Sequence, residues 1–177
     1  MVERARSARV PFTWVTANSA YGQDRKLRTA LEYRGKGRVM AVPCDETVHA
    51  GPLGPLRVDA LAERLILRFE RRSCGDGAKG ERFYDWALAE VSWPSPAGSP
   101  RRCWSHLLLV RRSISDPSEV AYFVVHVRTC TTLPTRVKIA GLRWAVEDCF
   151  ETAKSDCGLD QHEVRKWEPW HRHVAMA

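Results

Sequence analysis

The chain has 177 residues, of which 44% are hydrophobic and 28% are charged, and its formal net charge is +7 at pH 7. This composition supports one ordinary domain with a buried core and excludes a disordered chain, a membrane span of roughly 20 apolar residues and a secretory signal at the charged start. We therefore expect a cytoplasmic protein without a membrane partner, and the excess of Lys and Arg favours a polyanion such as nucleic acid.

Residues 10–50 have the pattern of a strand, a helix and a second strand. "PFTWV" is a β-type run, "QDRKLRTALEYRG" has apolar residues at helical spacing, and "GRVMAV" predicts a short buried strand that stops at Pro43. The short joints predict a βαβ unit with a parallel strand pair. Functional residues of such units lie beyond the carboxyl ends of the strands, where this chain has Asn18 and Ser19.

Residues 51–128 have a different character, because proline and glycine recur between strand-like segments. These segments are "LILRFE", "FYDWALAEV", "CWSHLLLVRRS" and "VAYFVVHVRT". They predict an antiparallel β region with hairpins. The G-x-G-x-x-G pattern at Gly75, Gly77 and Gly80 precedes a strand instead of a helix, so it predicts a hairpin loop and not a dinucleotide site.

Residues 129–177 are predicted to be mainly helical. After Pro134 a helical pattern continues for roughly twenty residues to about Ser155, and Gly158 follows as a stop signal. A further partly helical segment reaches the carboxyl end. The three segments together predict an α/β protein of the α+β kind.

The cysteine and histidine patterns indicate a metal site or a catalytic site only weakly. The six cysteines include no C-x-x-C pair, so we expect reduced and mostly buried thiols without a structural zinc site. His171 and His173 are candidate metal ligands, although no partner cluster accompanies them in the sequence. A cysteine hydrolase stays an alternative, and it would lose its activity on a single Cys→Ala change.

One helical segment, residues 141–154, carries charged residues in register. At 100° per residue, Glu147 lies about 40° round the helix from Arg143, and Lys154 about 20°. Apolar residues that we expect in the core lie between them: Trp144, Val146 and Phe150. The simplest interpretation is a surface i,i+4 ion pair. A carboxylate flanked by cations at the border of a buried face also suits metal-assisted phosphoryl chemistry.

The same residues carry a resemblance to a known family. "RWAVEDCFETAK" has the spacing R-x3-E-x6-K and resembles the Y-x2-R-x3-E-x6-K signature of DDE-type transposases from one large branch of bacterial insertion sequences. "WVTANSAYG" resembles the segment around their second catalytic aspartate, W-V-T-x-D-x-x-Y-G. Three further stretches are similar to that family in the same order: "GAKGERFYDWALAEV", "LLVRRSISDPSEVAYFV" and "GLDQHEVRKWEPWHRH". The chain matches only the C-terminal part of a family member.

The resemblance implies a partial RNase H-like core with a β-rich antiparallel insertion. Residues 10–50 would supply the strand–helix–strand part, with the first strands absent. Residues 51–128 would be the insertion, and residues 129–177 would bring the helix with the catalytic glutamate and a truncated C-terminal segment. In the family, three carboxylates hold two Mg²⁺ or Mn²⁺ ions, which activate water or a DNA 3′-hydroxyl for attack on a phosphodiester.

The family's roles map onto particular residues of this chain. Glu147 corresponds to the third carboxylate, and Asn18 stands where the second would be, so both are the candidate catalytic and metal-binding positions. Arg143 and Lys154 would contact DNA near the transposon end. A tryptophan of the insertion would stack on a displaced base, and the two candidates are Trp86 and Trp104.

Departures from the family pattern lead us to expect an inactive protein. The amide of Asn18 lacks the charge that holds two dications together, and Ala140 replaces the signature tyrosine. The first aspartate would lie upstream of Met1. We expect a truncated transposase acting on double-stranded transposon-end DNA, in a transposase dimer or with a full-length homologue. The alternative is a non-catalytic DNA-binding remnant or a modulator of a full-length transposase.

Overall fold

The computed structural model describes residues 2–64, 68–77, 80–93, 103–161, 163 and 166–176. Its elements, in chain order, are α1 (Val2–Ser7), β1 (Trp14–Ala17), α2 (Ser19–Gly22), α3 (Arg25–Tyr33), β2 (Gly37–Val42), β3 (Thr47–His49), a 3-10 turn (Gly51–Leu53), β4 (Pro55–Arg57), α4 (Val58–Arg64), β5 (Glu70–Gly77), β6 (Gly80–Glu90), β7 (Trp104–Arg112), β8 (Val120–Arg128), α5 (Leu133–Ser155) and α6 (Trp167–Met176). No helix within these ranges is long and apolar enough to cross a membrane.

Six strands form one sheet in the order β1-β2-β8-β7-β6-β5. Strands β1 and β2 are parallel, with Trp14 opposite Gly37, so the predicted βαβ unit is confirmed. All other neighbours in this sheet are antiparallel, which confirms the antiparallel region. Gly77 pairs with Gly80 at the end of the β5–β6 hairpin, as expected for the glycine-rich motif. The protein therefore belongs to the α+β class.

The strands after residue 70 continue the sheet that β1 and β2 begin. Strand β8 pairs directly with β2, with Val125 opposite Val39. Strands β3 and β4 form a separate two-stranded sheet. Strand β1 lies at one edge of the six-stranded sheet, and β5 lies at the other. The segment "LILRFE" is covered only in part, because residues 65–67 lie outside the described ranges.

The sheet buries both of its faces, because side chains alternate along each strand. The α3 face carries Met40, Leu108 and Val124, which pack with residues of α3 and α4. The α5 face carries Val39, Leu107 and Phe123, which pack with residues of α5. Each such side chain contributes about 1.5–3 kcal/mol when fully buried. Two apolar layers on opposite sides of one sheet are what stabilise this fold.

Helix α5 is buried in its first half and exposed in its second. A Cβ at Gly141 would lie 2.1 Å from the carbonyl oxygen of Cys74, so only glycine allows this close approach to β5. Beyond Gly141, Val146 and Phe150 are 56% and 57% exposed. Our expectation that these two residues belong to the core is wrong, because in the described sheet no strand lies beyond β5 to cover them.

Candidate functional site

The charged stripe of α5 lies on the exposed half of the helix. Arg143 donates from Nη1 to Oε1 of Glu147. The side chain of Glu147 is 54% exposed, and Lys154 is exposed about two turns beyond it. An ion pair of this kind contributes a few tenths of a kcal/mol to stability. The stripe is therefore present as expected, but its glutamate is engaged by arginine.

Asn18 directly follows β1, as its place in the βαβ unit predicts. It is exposed and caps α2, accepting a hydrogen bond from the Tyr21 amide at 3.4 Å. The residues beside Glu147 contact β6, where Asp148 pairs with Arg82 at 3.4 Å. Three strands separate β6 from β1 in the sheet. Within the described residues, no hydrogen bond or ion pair connects Asn18 with Glu147.

The residues at these two positions do not fit a two-metal centre for Mg²⁺ or Mn²⁺. Such a centre requires several oxygen ligands that converge, with carboxylates among them. Among the described residues, the one group of three or more potential ligands from His, Cys, Asp and Glu is Glu32, His106 and His126, and Glu147 is not part of it. Glu147 and Asn18 therefore do not supply the ligands that a metal-dependent catalytic step would need.

The two candidate base-stacking tryptophans differ in their surroundings. Trp86 is 0% exposed, packs against Phe123 with ring centroids 6.1 Å apart, and donates from Nε1 to the Arg72 carbonyl at 3.2 Å. A nucleotide base could reach this ring only if the sheet opened. Trp104 is half-buried, and its ring stacks on the imidazole of His126 with centroids 4.5 Å apart.

An arginine–aromatic cluster lies beside the charged stripe; we call it the Trp144 cluster. The Arg111 guanidinium lies 4.4 Å from the ring centroid of Tyr84 and 4.5 Å from that of Trp144. Arg82 and Arg143 lie 5.7 and 5.2 Å from the same Trp144 ring. Cation–π contacts of this kind contribute about 0.5–2 kcal/mol each. The cluster thus gathers three cations at the base of the exposed half of α5.

A second site, the Glu32 cluster, comprises Glu32, Arg38, His106 and His126 on the α3 face. Strand register places the last three in one row, because His126 of β8 lies opposite Arg38 of β2 and opposite His106 of β7. Directly opposed residues have Cβ atoms about 4.5–5.5 Å apart. Glu32, in the last turns of α3, lies against this row and is 1% exposed.

The Glu32 carboxylate is the centre of this cluster. Its Oε1 accepts hydrogen bonds from Arg38 and, at 2.7 Å, from Nε1 of Trp93. Its Oε2 lies 3.3 Å from Nε2 of His106. One ligand atom from each of Glu32, His106 and His126 lies within 4.8 Å of the other two. A carboxylate and two imidazoles therefore converge in a largely buried space.

Burial and charge determine the ionisation of this cluster. Burial acts to raise the pKa of the Glu32 carboxyl, but hydrogen bonds from His106 and Trp93 and the charge of Arg38 outweigh it and hold that pKa well below its usual range. Burial lowers the pKa of His126 to about 4 and the pKa of Arg38 to about 10. At neutral pH, Glu32 is therefore anionic, Arg38 is cationic and His126 is neutral.

Sequence reasoning missed the Glu32 cluster, because its members come from one helix and three strands. One signal was available: a single histidine interrupts each of the apolar runs "WSHLLLV" and "YFVVHV". A polar residue inside a buried strand needs a partner. His171 and His173, the sequence candidates, belong to no ligand group in the described part of the chain.

The thiols also differ from expectation. Cys74 is buried, whereas Cys44, Cys103, Cys130, Cys149 and Cys157 are exposed, and none forms a disulfide. The prediction that most of the cysteines are buried is therefore wrong. The exposed thiols lie in turns or on the uncovered half of α5 and just after it, where no second layer covers the chain.

No protein-family model matches this chain, and no curated protein matches it significantly. The resemblance to DDE transposases therefore rests on its motifs and on their order along the chain.

Proposed function

We propose that the chain is a transposase-related protein that binds double-stranded DNA without cutting it. The observation that carries this proposal is the R-x3-E-x6-K stripe, with its cations on the exposed half of α5 next to the Trp144 cluster. In this interpretation β1, β2 and α5 represent part of an RNase H-like core, and strands β5–β8 represent the insertion. Double-stranded transposon-end DNA and a related transposase are the partners that follow from it.

The exposed half of α5 has the chemistry that phosphate binding needs. Arg143 offers a planar guanidinium whose side chain is 25% exposed, and the exposed Lys154 adds a second cation further along the helix. The partner of Arg143 is an exposed carboxylate, and such a pair is weak enough for a DNA phosphate to replace it. The net charge of +7 favours association with any polyanion.

The same geometry argues against catalysis. Two-metal chemistry needs carboxylates that hold two dications close together. Asn18 offers a neutral amide, Glu147 pairs with Arg143, and Asp148, next to Glu147, contacts β6, which three strands separate from β1. A full transposase activity stays the second candidate, because the glutamate of the signature is retained.

Arg143→Ala is expected to weaken DNA binding by about five- to tenfold, and to reduce the slope of log affinity against log salt concentration by about 1. The reason is the loss of one phosphate contact. Fluorescence anisotropy of a labelled duplex at several salt concentrations measures both quantities. The matched control is Lys26→Ala, which removes one exposed cation from α3 on the opposite side of the sheet. Equal losses in the two variants would mean that α5 is not the DNA-binding surface.

A further inference from the structure

We infer that Glu32, His106 and His126 form a binding site for one divalent transition-metal ion of the zinc class. The site lies on the α3 face, whereas the proposed DNA surface belongs to α5 on the other face. This inference therefore goes beyond the proposed function and does not depend on it.

The donor set matches the preferences of such an ion. Two imidazoles and one carboxylate are a common three-ligand set for zinc and for non-haem iron, whereas Mg²⁺ prefers oxygen ligands alone. In a tetrahedral zinc site, ligand atoms lie roughly 3.3 Å apart, given bonds of about 2.0–2.1 Å. The three donor atoms here lie within 4.8 Å of one another, so side-chain movements of about 1 Å would close the site.

The surroundings hold each donor in position. Arg38 and Trp93 both bind Oε1 of Glu32, which leaves Oε2 directed towards His106. The His106 ring stacks on Trp93 with centroids 4.0 Å apart, and the His126 ring stacks on Trp104. Metal ligands in proteins are characteristically oriented by hydrogen bonds and packing of this kind.

An unpartnered atom distinguishes a metal site from a closed hydrogen-bond network. His126 is 3% exposed, and its Nδ1 is buried without a hydrogen-bond partner within the described residues. A buried nitrogen without a partner is costly, and coordination to a metal ion would satisfy it.

Two features set the expected affinity and the route of entry. The Arg38 guanidinium bound to Glu32 repels an incoming cation, so we expect weaker binding than at a four-ligand structural zinc site. The His106 side chain is 16% accessible to solvent, so this residue is where an ion would enter the cluster.

Titration of the full chain with Co²⁺, after removal of metals by a chelator, tests this inference. We expect one equivalent to bind with the visible absorption of a four-coordinate ion and without a sulfur-to-cobalt charge-transfer band, and we expect Zn²⁺ to displace it. His106→Gln should weaken binding by about 100-fold or more, because even changes to the outer partners of metal ligands cost roughly 10–100-fold. The matched control His171→Gln, at an exposed histidine of α6, should bind as the wild type does.

Three results would overturn the inference: no binding, a charge-transfer band from the exposed cysteines, or binding that is lost in His171→Gln and retained in His106→Gln. The last would indicate an adventitious ion only. NMR of the imidazole nitrogens in the unsubstituted protein gives a second measurement, in which Zn²⁺ must shift His106 and His126. His106→Gln should retain wild-type DNA affinity, so failure of this inference is distinguishable from failure of the proposed function.

Discussion

Replacing Glu32 with glutamine is expected to lower the free energy of unfolding by about 3–5 kcal/mol. The change leaves the Arg38 guanidinium, which is 0% exposed, in the core without its counter-charge. Nε and Nη1 of Arg38 already have no hydrogen-bond partner among the described residues, and the Trp93 ring, 4.9 Å from the guanidinium, only partly compensates the charge. Urea unfolding in the presence of a chelator measures this effect free of any contribution from bound metal.

Two comparisons make this result specific. Glu147→Gln removes the same charge from an exposed i,i+4 pair and should cost no more than about 0.5 kcal/mol. The double change Glu32→Leu and Arg38→Met removes both buried charges and should recover part of the lost stability. If Glu32→Gln unfolded at the wild-type urea concentration, Arg38 would have another partner or reach solvent, and the description of the Glu32 cluster would be incorrect.

Trp86→Ala is expected to lower the free energy of unfolding by about 3–5 kcal/mol, because it leaves a large cavity in the α5-face core. The ring packs between Phe123 and Tyr84, with centroid distances of 6.1 and 6.3 Å. At a temperature where the variant is still folded, its DNA affinity should equal that of the wild type. Urea unfolding and fluorescence anisotropy on the same preparation separate the two effects.

Phe83→Ala is the matched control on the same strand. Phe83 is 48% exposed, so its removal should change stability by less than about 1 kcal/mol. If Trp86→Ala instead kept its stability and lost DNA affinity, Trp86 would be a base-stacking residue. The DNA-bound protein would then have a conformation in which the Trp86 ring is not buried.

Local pattern was sufficient to predict most of the elements. The parallel βαβ unit, the antiparallel hairpins and the extent of α5 follow from periodicity, glycine positions and helix-end signals, all of which act within a few residues. The position of Asn18 after β1 and the alignment of Arg143 with Glu147 could be predicted too, because each depends on residues that are close together in the sequence.

Long-range pairing could not be predicted in this way. The direct pairing of β8 with β2 joins segments that the sequence pattern separates. The exposure of Val146 and Phe150 depends on where the sheet ends, which residue types alone do not show. The candidate metal site escaped prediction because strand register, rather than spacing along the chain, brings His106 beside His126.

The central claim, DNA binding without cleavage, is tested most directly with supercoiled plasmid and the full chain in Mg²⁺ or Mn²⁺. The protein concentration is chosen so that anisotropy and gel retardation show all of the DNA bound. We predict that the plasmid, once the protein is removed, remains supercoiled, and that Asn18→Asp does not change this, because the described hydrogen bonds of residue 18 and Glu147 go to other residues. Nicked or linear plasmid from the wild-type chain, lost in Glu147→Gln, would contradict the claim.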